Sequence, residues 1–153
     1  MPDSGGDSGE VRISMSATVL EQDQKRLLAA AQEVSLRAYA PFSKFFVGSA
    51  LLTTNGEIYT GCNVENSSYG LTNCAERTAV FTAVADGSRK GKLEIAAIAC
   101  VNRDGVPCAP CGACRQVIFE FGPNAIIIYR AQDGTITQTP IAELLPEGFR
   151  LGE

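Results

Sequence analysis

The chain has 153 residues, of which 45% are hydrophobic and 20% are charged, so its size and composition are those of one globular domain. Thirteen basic residues against seventeen acidic ones give a net charge of −4. This charge argues against a nucleic-acid partner, because phosphate binding needs clustered Lys and Arg. No apolar run approaches the ~20 residues that a membrane span requires, and the N-terminus lacks the pattern of a secretory signal. We therefore expect a soluble, cytoplasmic protein with no membrane partner.

The first elements follow a polar N-terminal segment. Residues 1–14 are rich in Gly, Ser and Asp, which predicts a disordered tail before one domain over residues 15–153. Apolar residues then recur at three- and four-residue steps, which predicts a helix over residues 18–38 that Pro41 ends. The dipeptide Asn55-Gly56 is the strongest short hairpin signal. It predicts a strand over residues 45–53 and a returning strand over residues 57–61.

The second half of the chain alternates helices and apolar strands. Asn73, with Glu76 three residues later, resembles a capping box and predicts a helix over residues 74–85. The further predicted elements are a strand at 93–101, a helix at 111–121, strands at 125–129 and 134–138, and a short helix at 141–145. This order predicts an α/β fold with three layers, α/β/α, around a mixed five-stranded sheet.

Six cysteines and no histidine define the chemistry that is available. In a reducing compartment, such cysteine spacings indicate a metal site or catalysis rather than disulfides. The absence of histidine excludes every catalytic arrangement or zinc site that needs an imidazole. Cys111 and Cys114, three residues apart at a helix start, lie on one face and can hold one ion, and Cys74 would supply a third sulfur. Three protein ligands leave a tetrahedral zinc with an open position for water, which is the catalytic arrangement.

Three charged residues adjoin these cysteines. Glu76 is not needed for coordination, so it can act as a base toward a water molecule at the open position. Arg77 and Arg115 are candidates to donate hydrogen bonds to the sulfurs, although both could equally be surface arginines.

Three longer sequence motifs resemble those of a known family. They are Asn-Val-Glu-Asn at 63–66, Cys-Ala-Glu-Arg-Thr-Ala at 74–79 and Pro-Cys-Gly-Ala-Cys-Arg-Gln-Val at 110–117. Together they resemble the small bacterial and animal cytidine deaminases, over a span from about Tyr39 to Phe149. The resemblance implies a cytidine deaminase-like fold and a hydrolytic, zinc-dependent conversion of cytidine and deoxycytidine to uridine and deoxyuridine. Ammonia is released, and the reaction serves pyrimidine salvage.

The resemblance also implies roles for single residues. Cys74, Cys111 and Cys114 match the ligands of one zinc ion per chain. Glu76 matches the residue that passes a proton to the ring nitrogen and then to the departing ammonia.

Further matches concern the substrate and a partner subunit. Asn63 and Glu65 match a pair that holds the ribose hydroxyls, Phe45 matches an aromatic beside the base, and the backbone of Ala75 matches a contact to the pyrimidine. Phe149 matches a residue that reaches a neighbouring subunit's site in a homotetramer.

Several alternatives remain open at this point. Strand alternation alone does not choose between Phe45 and Phe46. Cys108-Ala-Pro-Cys111 is itself a Cys-x-x-Cys pair, and a fourth sulfur would make a closed site typical of a non-catalytic zinc module. The sequence motif around Cys114 favours Cys74, Cys111 and Cys114 as the ligands and leaves Cys108 a free thiol.

Two other activities are also considered. Deamination of a cytosine nucleoside antibiotic of the blasticidin type is a second enzymatic alternative, and editing of single-stranded nucleic acid is disfavoured by the acidic charge.

Overall fold

The computed structural model describes residues 19–151, so the predicted tail at 1–14 lies outside the described residues. The elements are α1 (Glu21–Ser35), β1 (Val47–Thr53), β2 (Ile58–Cys62), a 3₁₀ turn (Tyr69–Leu71), α2 (Ala75–Ala85), β3 (Ile95–Asn102), α3 (Gly112–Phe121), β4 (Ile126–Arg130), β5 (Ile136–Pro140) and α4 (Ile141–Leu144). Within this part of the chain, no helix is long and apolar enough to cross a membrane. The predicted order of helices and strands is confirmed.

The five strands form one mixed sheet in the order β2-β1-β3-β4-β5. Strands β3 and β4 are parallel, and every other neighbouring pair is antiparallel. The β1–β2 hairpin turns at Gly56, whose φ of +88° is the left-handed conformation that glycine adopts without a steric penalty. The predicted hairpin and the predicted mixed five-stranded sheet are therefore confirmed.

Helices cover both faces of the sheet. On one face, Leu27 and Ala31 of α1 pack against Ala50 and Leu52 of β1. On the other face, Leu51 packs in a core that α2, α3 and α4 share. Because neighbouring strand residues point to opposite faces, β1 contributes to both cores and is buried along its whole length. This is the predicted three-layer α/β/α arrangement.

The predicted capping box is wrong. The N-cap of α2 is Cys74, and no side chain caps this helix. The amide of Asn73 donates to the hydroxyl of Thr78 at 3.0 Å, while its backbone pairs with Val64. The carboxyl group of Glu76 is buried instead of reaching back to the helix terminus. The helix start thus presents a thiol and a carboxyl group to the same side.

Most element boundaries differ from the prediction by one to three residues, and two of these differences have a visible cause. Helix α1 ends at Ser35, because the backbone N–H groups of Leu36 and Arg37 close tight turns onto Glu33 and Val34. Strand β1 begins two residues later than predicted, because the carbonyl oxygen of Phe45 accepts from the side chain of Asn63 and not from a neighbouring strand.

Gly48 allows α1 to lie directly on the sheet. A β-carbon at this position would be 2.0 Å from the carbonyl oxygen of Ala31. We expect Gly48→Ala to lower the free energy of unfolding by about 3 kcal/mol or more, because backbone cannot move aside as a side chain can. Gly87→Ala is the matched control, since nothing lies within 4 Å of its added β-carbon. Urea titration of both variants measures the difference, and an equally stable Gly48→Ala would contradict this packing.

Candidate active site

Three cysteine sulfurs meet where the N-termini of α2 and α3 converge. Cys74 and Cys111 are the N-cap residues of these helices, and Cys114 lies in the first turn of α3. The three sulfurs lie within 4.8 Å of one another, and those of Cys74 and Cys111 are 3.9 Å apart. Tetrahedral Zn–S bonds of about 2.3 Å place neighbouring sulfurs about 3.8 Å apart. The residues therefore fit a single soft divalent cation such as zinc.

The surroundings of the Cys74 sulfur favour its ionised form. Both helix N-termini direct the positive ends of their dipoles at the thiols. The Nη2 atom of Arg77 also donates to the sulfur of Cys74 at 3.1 Å. The Cys114 thiol first, and the Arg77 guanidinium with it, lower the pKa of Cys74 to about 5. The same hydrogen bond with Cys74, followed by burial, raises the pKa of Cys114, so the two sulfurs share one proton until a cation displaces it.

Cys108 is not a member of the three-cysteine group. It is only 8% exposed, and its carbonyl oxygen accepts a hydrogen bond from the thiol of Cys100 at 3.3 Å. The four-sulfur closed site is therefore not formed among the described residues. A three-sulfur site keeps one coordination position for a non-protein ligand.

Glu76 is a buried carboxyl group beside the cysteines. Glu76 is only 4% exposed. Burial, together with the negative charge of Cys74, raises the pKa of Glu76 to about 7. A carboxyl group with such a pKa can both accept and return a proton at neutral pH, which is the property of a general acid and base.

A cavity of about 320 Å³ joins the cysteines to the predicted substrate contacts. Its wall consists of Ser43, Phe45, Val47, Asn63, Glu65, Thr72, Cys74, Ala75, Glu76, Cys108, Ala109 and Cys111. The cavity thus brings together all four residues predicted to contact substrate, two of the three predicted metal ligands and the predicted catalytic carboxylate. Its volume lies within the range of small-molecule sites, which is about 300–1,000 Å³.

The structure distinguishes the two neighbouring phenylalanines. Phe45 lies in the cavity wall, whereas the ring of Phe46 lies under the guanidinium of Arg103 at 3.9 Å. Both residues precede β1, so strand alternation does not govern their directions.

Asn63 is held by two backbone hydrogen bonds at the start of β1. Its Oδ1 atom accepts the backbone N–H of Val47 at 2.9 Å, and its Nδ2 atom donates to the carbonyl oxygen of Phe45 at 2.8 Å. One amide hydrogen and one lone pair stay available for a ligand. Asn63 therefore shapes the cavity and keeps some capacity to bind in it.

Four predicted residues lie outside the cavity wall: Cys114 and Arg77, which adjoin the other sulfurs, and Arg115 and Phe149, which do not. Arg115 donates to the carbonyl oxygens of Pro110 and Leu144 at 2.8 and 3.0 Å, so its side chain bonds to backbone and not to sulfur. This corrects the prediction for Arg115, which ties α3 to the C-terminal segment. Phe149 is 64% exposed, and its carbonyl oxygen accepts from Gln116 at 3.2 Å.

Five residues of the cavity wall have no predicted role in the site: Ser43, Val47, Thr72, Cys108 and Ala109. Ser43 and Val47 lie two residues before and after Phe45, so proximity to that aromatic in the chain is a signal for both. Thr72 lies two residues before Cys74, in a loop with no regular periodicity, and nothing in its sequence context indicates a cavity.

Arg77 offers a test of how the thiolates are stabilised. We expect Arg77→Gln to lower zinc affinity or activity about 10- to 100-fold, because hydrogen bonds to metal ligands have effects of that size. Zinc titration against a chromogenic chelator and steady-state kinetics measure the two quantities. Arg26→Gln, which removes an exposed ion pair with Asp23 on α1, is the control. An Arg77 variant that matches this control in both measurements would contradict the role.

Comparisons with known proteins agree with the geometry of the site. Residues 21–130 match the family model described as "Cytidine and deoxycytidylate deaminase zinc-binding region". The chain is 49% identical over 128 residues to a cytidine deaminase of Sporosarcina psychrophila, covering 83% of this chain and 91% of the relative. It is 40% identical over 131 residues to a cytidine deaminase of Mycobacterium tuberculosis, covering 86% and 92%.

Solved structures give the same result. The crystal structure of cytidine deaminase from Burkholderia pseudomallei is similar with a TM-score of 0.72 and 50% identity, over 82% of this chain and 98% of that chain. The crystal structure of the Mycobacterium tuberculosis cytidine deaminase is similar with a TM-score of 0.73 and 36% identity, over 87% of this chain and all of that chain. With its three-thiol site, its buried carboxyl group and relatives matched over most of their length, the chain belongs to the cytidine and deoxycytidylate deaminase family.

Proposed function

We propose that the protein hydrolyses the exocyclic amine of cytidine and deoxycytidine, giving uridine or deoxyuridine and ammonia. The observation that carries this proposal is the placement of Glu76 in one cavity wall with Cys74 and Cys111. A buried proton carrier beside a cation site is the arrangement that hydrolytic deamination of a nucleobase requires.

Each reacting group has a counterpart in the chain. Zinc held by Cys74, Cys111 and Cys114 would lower the pKa of a water molecule, so that a nucleophile exists at neutral pH. Glu76 accepts the proton that this water loses and delivers it to the pyrimidine ring nitrogen. It then transfers the second proton of the water to the amine, which leaves as ammonia. The proton balance is complete, because water supplies both protons and the oxygen of the product.

The rest of the cavity wall suits a neutral nucleoside. Phe45 offers a ring face to the base, the backbone of Ala75 offers hydrogen-bonding groups to the pyrimidine, and Asn63 and Glu65 offer polar atoms to the sugar hydroxyls. No Lys or Arg belongs to this wall among the described residues, and Glu65 carries a negative charge. A 5′-phosphate would meet no cation there, which favours nucleosides over nucleotides.

A substrate panel tests the proposal. Zinc-loaded protein is incubated with cytidine, deoxycytidine, deoxycytidine monophosphate, a blasticidin-type nucleoside and a cytosine-containing single-stranded oligonucleotide, and products are separated by chromatography. We expect rapid conversion of the two nucleosides and at least about tenfold slower conversion of the others, the difference that one strong polar contact makes. Exclusive conversion of the antibiotic or of the oligonucleotide would overturn the proposal.

We further propose that the protein works as a homotetramer in the cytoplasm, where its reaction serves pyrimidine salvage. Exposed apolar side chains in the described part of the chain support assembly, because a monomer in water gains nothing from them. They are Tyr69, Leu71, Phe81, Val84, Phe149 and Leu151. In such an assembly Phe149 would reach the cavity of a neighbouring subunit.

Sedimentation equilibrium measures the assembly. A tetramer has a mass of about 65 kDa, four times the 16.2 kDa of the chain. We expect Phe149→Ala to weaken substrate binding in the assembled protein, whereas a monomer of 16.2 kDa with full activity would contradict the assembly.

A further inference from the structure

Ser43 connects two parts of the cavity wall through one hydroxyl group. Its Oγ atom donates to the Oε2 atom of Glu65, which lies 22 residues further along the chain. The same Oγ atom accepts the backbone N–H of Phe45 at 3.0 Å. A single side chain thus fixes both the carboxylate and the aromatic segment of the wall.

The backbone around Ser43 also holds Glu65. The Oε1 atom of Glu65 accepts the N–H groups of Phe42 and Ser43 at 2.9 and 3.2 Å. The Ser43 hydroxyl first, and these N–H groups with it, lower the pKa of Glu65. Both carboxylate oxygens are therefore engaged, and the carboxylate has one orientation before any substrate enters.

The turn that carries Ser43 is conformationally costly. Lys44 has a φ of +59°, a conformation that non-glycine residues rarely adopt, and its N–H closes the turn onto Ala40. Such a turn persists only where surrounding contacts specify it. The contacts present are the Ser43 hydroxyl on one side and the Asn63 amide, bonded to Phe45 and Val47, on the other.

We infer that Ser43 is a positioning residue, which orients Glu65 for sugar binding without touching the substrate itself. The inference rests on the proposed function, in which Glu65 contacts the sugar hydroxyls. A carboxylate that is already oriented loses less freedom on binding and therefore binds more tightly. The effect should appear in KM and not in kcat, because Ser43 is linked to the sugar side of the cavity and not to Glu76.

The test compares Ser43→Ala on two substrates. Deoxycytidine has the 3′-hydroxyl that Glu65 would bind, whereas 2′,3′-dideoxycytidine has no hydroxyl at that edge of the sugar. We expect the KM for deoxycytidine to rise about tenfold, the effect of one charge-assisted hydrogen bond, with kcat changed less than about twofold. The KM for 2′,3′-dideoxycytidine should change less than about threefold by the same reasoning. Restoring the hydroxyl with Ser43→Thr should recover most of the loss for deoxycytidine.

Ser88→Ala is the matched control. Ser88 is an exposed serine whose hydroxyl donates to the Oδ1 atom of Asp86 at 2.7 Å, away from the cavity. Equal losses on both substrates, a fall in kcat alone, or kinetics like those of Ser88→Ala would overturn the inference for Ser43. A wild-type protein that deaminates neither nucleoside would instead remove the proposed function. Should Ser43→Ala fail to fold, Ser43→Cys keeps the volume with a weaker donor and is expected to show the same selective rise in KM.

Discussion

Replacing Glu76 with glutamine should lower kcat about 10³-fold, the size of effect that a general acid and base contributes. Glutamine has the same shape as glutamate, but its amide cannot accept a proton from water and return it to the substrate. The substitution should not disturb the site, because a neutral amide is tolerated where burial already raises the pKa of the Glu76 carboxyl group to about 7. Steady-state kinetics on cytidine measure the change.

The fold and the metal site should survive this substitution. Glu76 is not a member of the three-cysteine group, so Glu76→Gln should keep one zinc ion per chain and an unchanged melting temperature. Zinc analysis and a thermal scan provide the control. A Glu76→Gln protein with kcat within about tenfold of wild type would refute the role of this carboxylate, since proton transfer contributes at least 10²-fold.

Loss of Cys114 should have an equally large effect through the metal. Cys114 is fully buried at the first turn of α3, and no other side chain among residues 19–151 joins the Cys74–Cys111 pair to make a set of three. Cys114→Ser should therefore lose most of its zinc, all measurable activity and the stability that metal binding adds to the fold. Zinc content after dialysis, activity and melting temperature report the three losses.

Cys108→Ser is the control that separates the two possible ligand sets. Cys108 lies near the same site, but its carbonyl oxygen is paired with Cys100 and its sulfur is not part of the three-cysteine group. We expect this variant to keep one zinc ion per chain. Loss of zinc from Cys108→Ser, or retention of zinc by Cys114→Ser, would show that the sulfurs are arranged differently.

The sequence predicts those parts of the fold that local patterns specify. The helix at Glu21–Ser35 has a regular apolar repeat, and the hairpin at Gly56 has a turn that only glycine adopts easily. The strand order β2-β1-β3-β4-β5 follows from pairings between distant segments, which no local pattern encodes. The capping box at Asn73 does not form, because the Asn73 amide donates to Thr78 in the next helical turn and the packing of the fold buries Glu76.

In the candidate site, too, local sequence patterns predict some contacts, whereas others depend on the fold. Cys111 and Cys114 are three residues apart, so helical geometry alone brings their sulfurs together. Arg115 adjoins Cys114 in the chain, yet its side chain donates to the carbonyl oxygens of Pro110 and Leu144, and Leu144 is 29 residues away in the chain. The link between Ser43 and Glu65 joins residues in two loops, and only the fold brings them into contact.

The most direct measurement follows cytidine in water enriched in oxygen-18, with zinc-loaded wild-type protein. Hydrolysis at this site predicts uridine that carries one oxygen-18 atom from the solvent, with one ammonia released for each uridine formed. Mass spectrometry and an ammonia assay quantify both products in the same sample. Folded, zinc-loaded protein that leaves cytidine unchanged, or that forms uridine without solvent oxygen, would contradict the account.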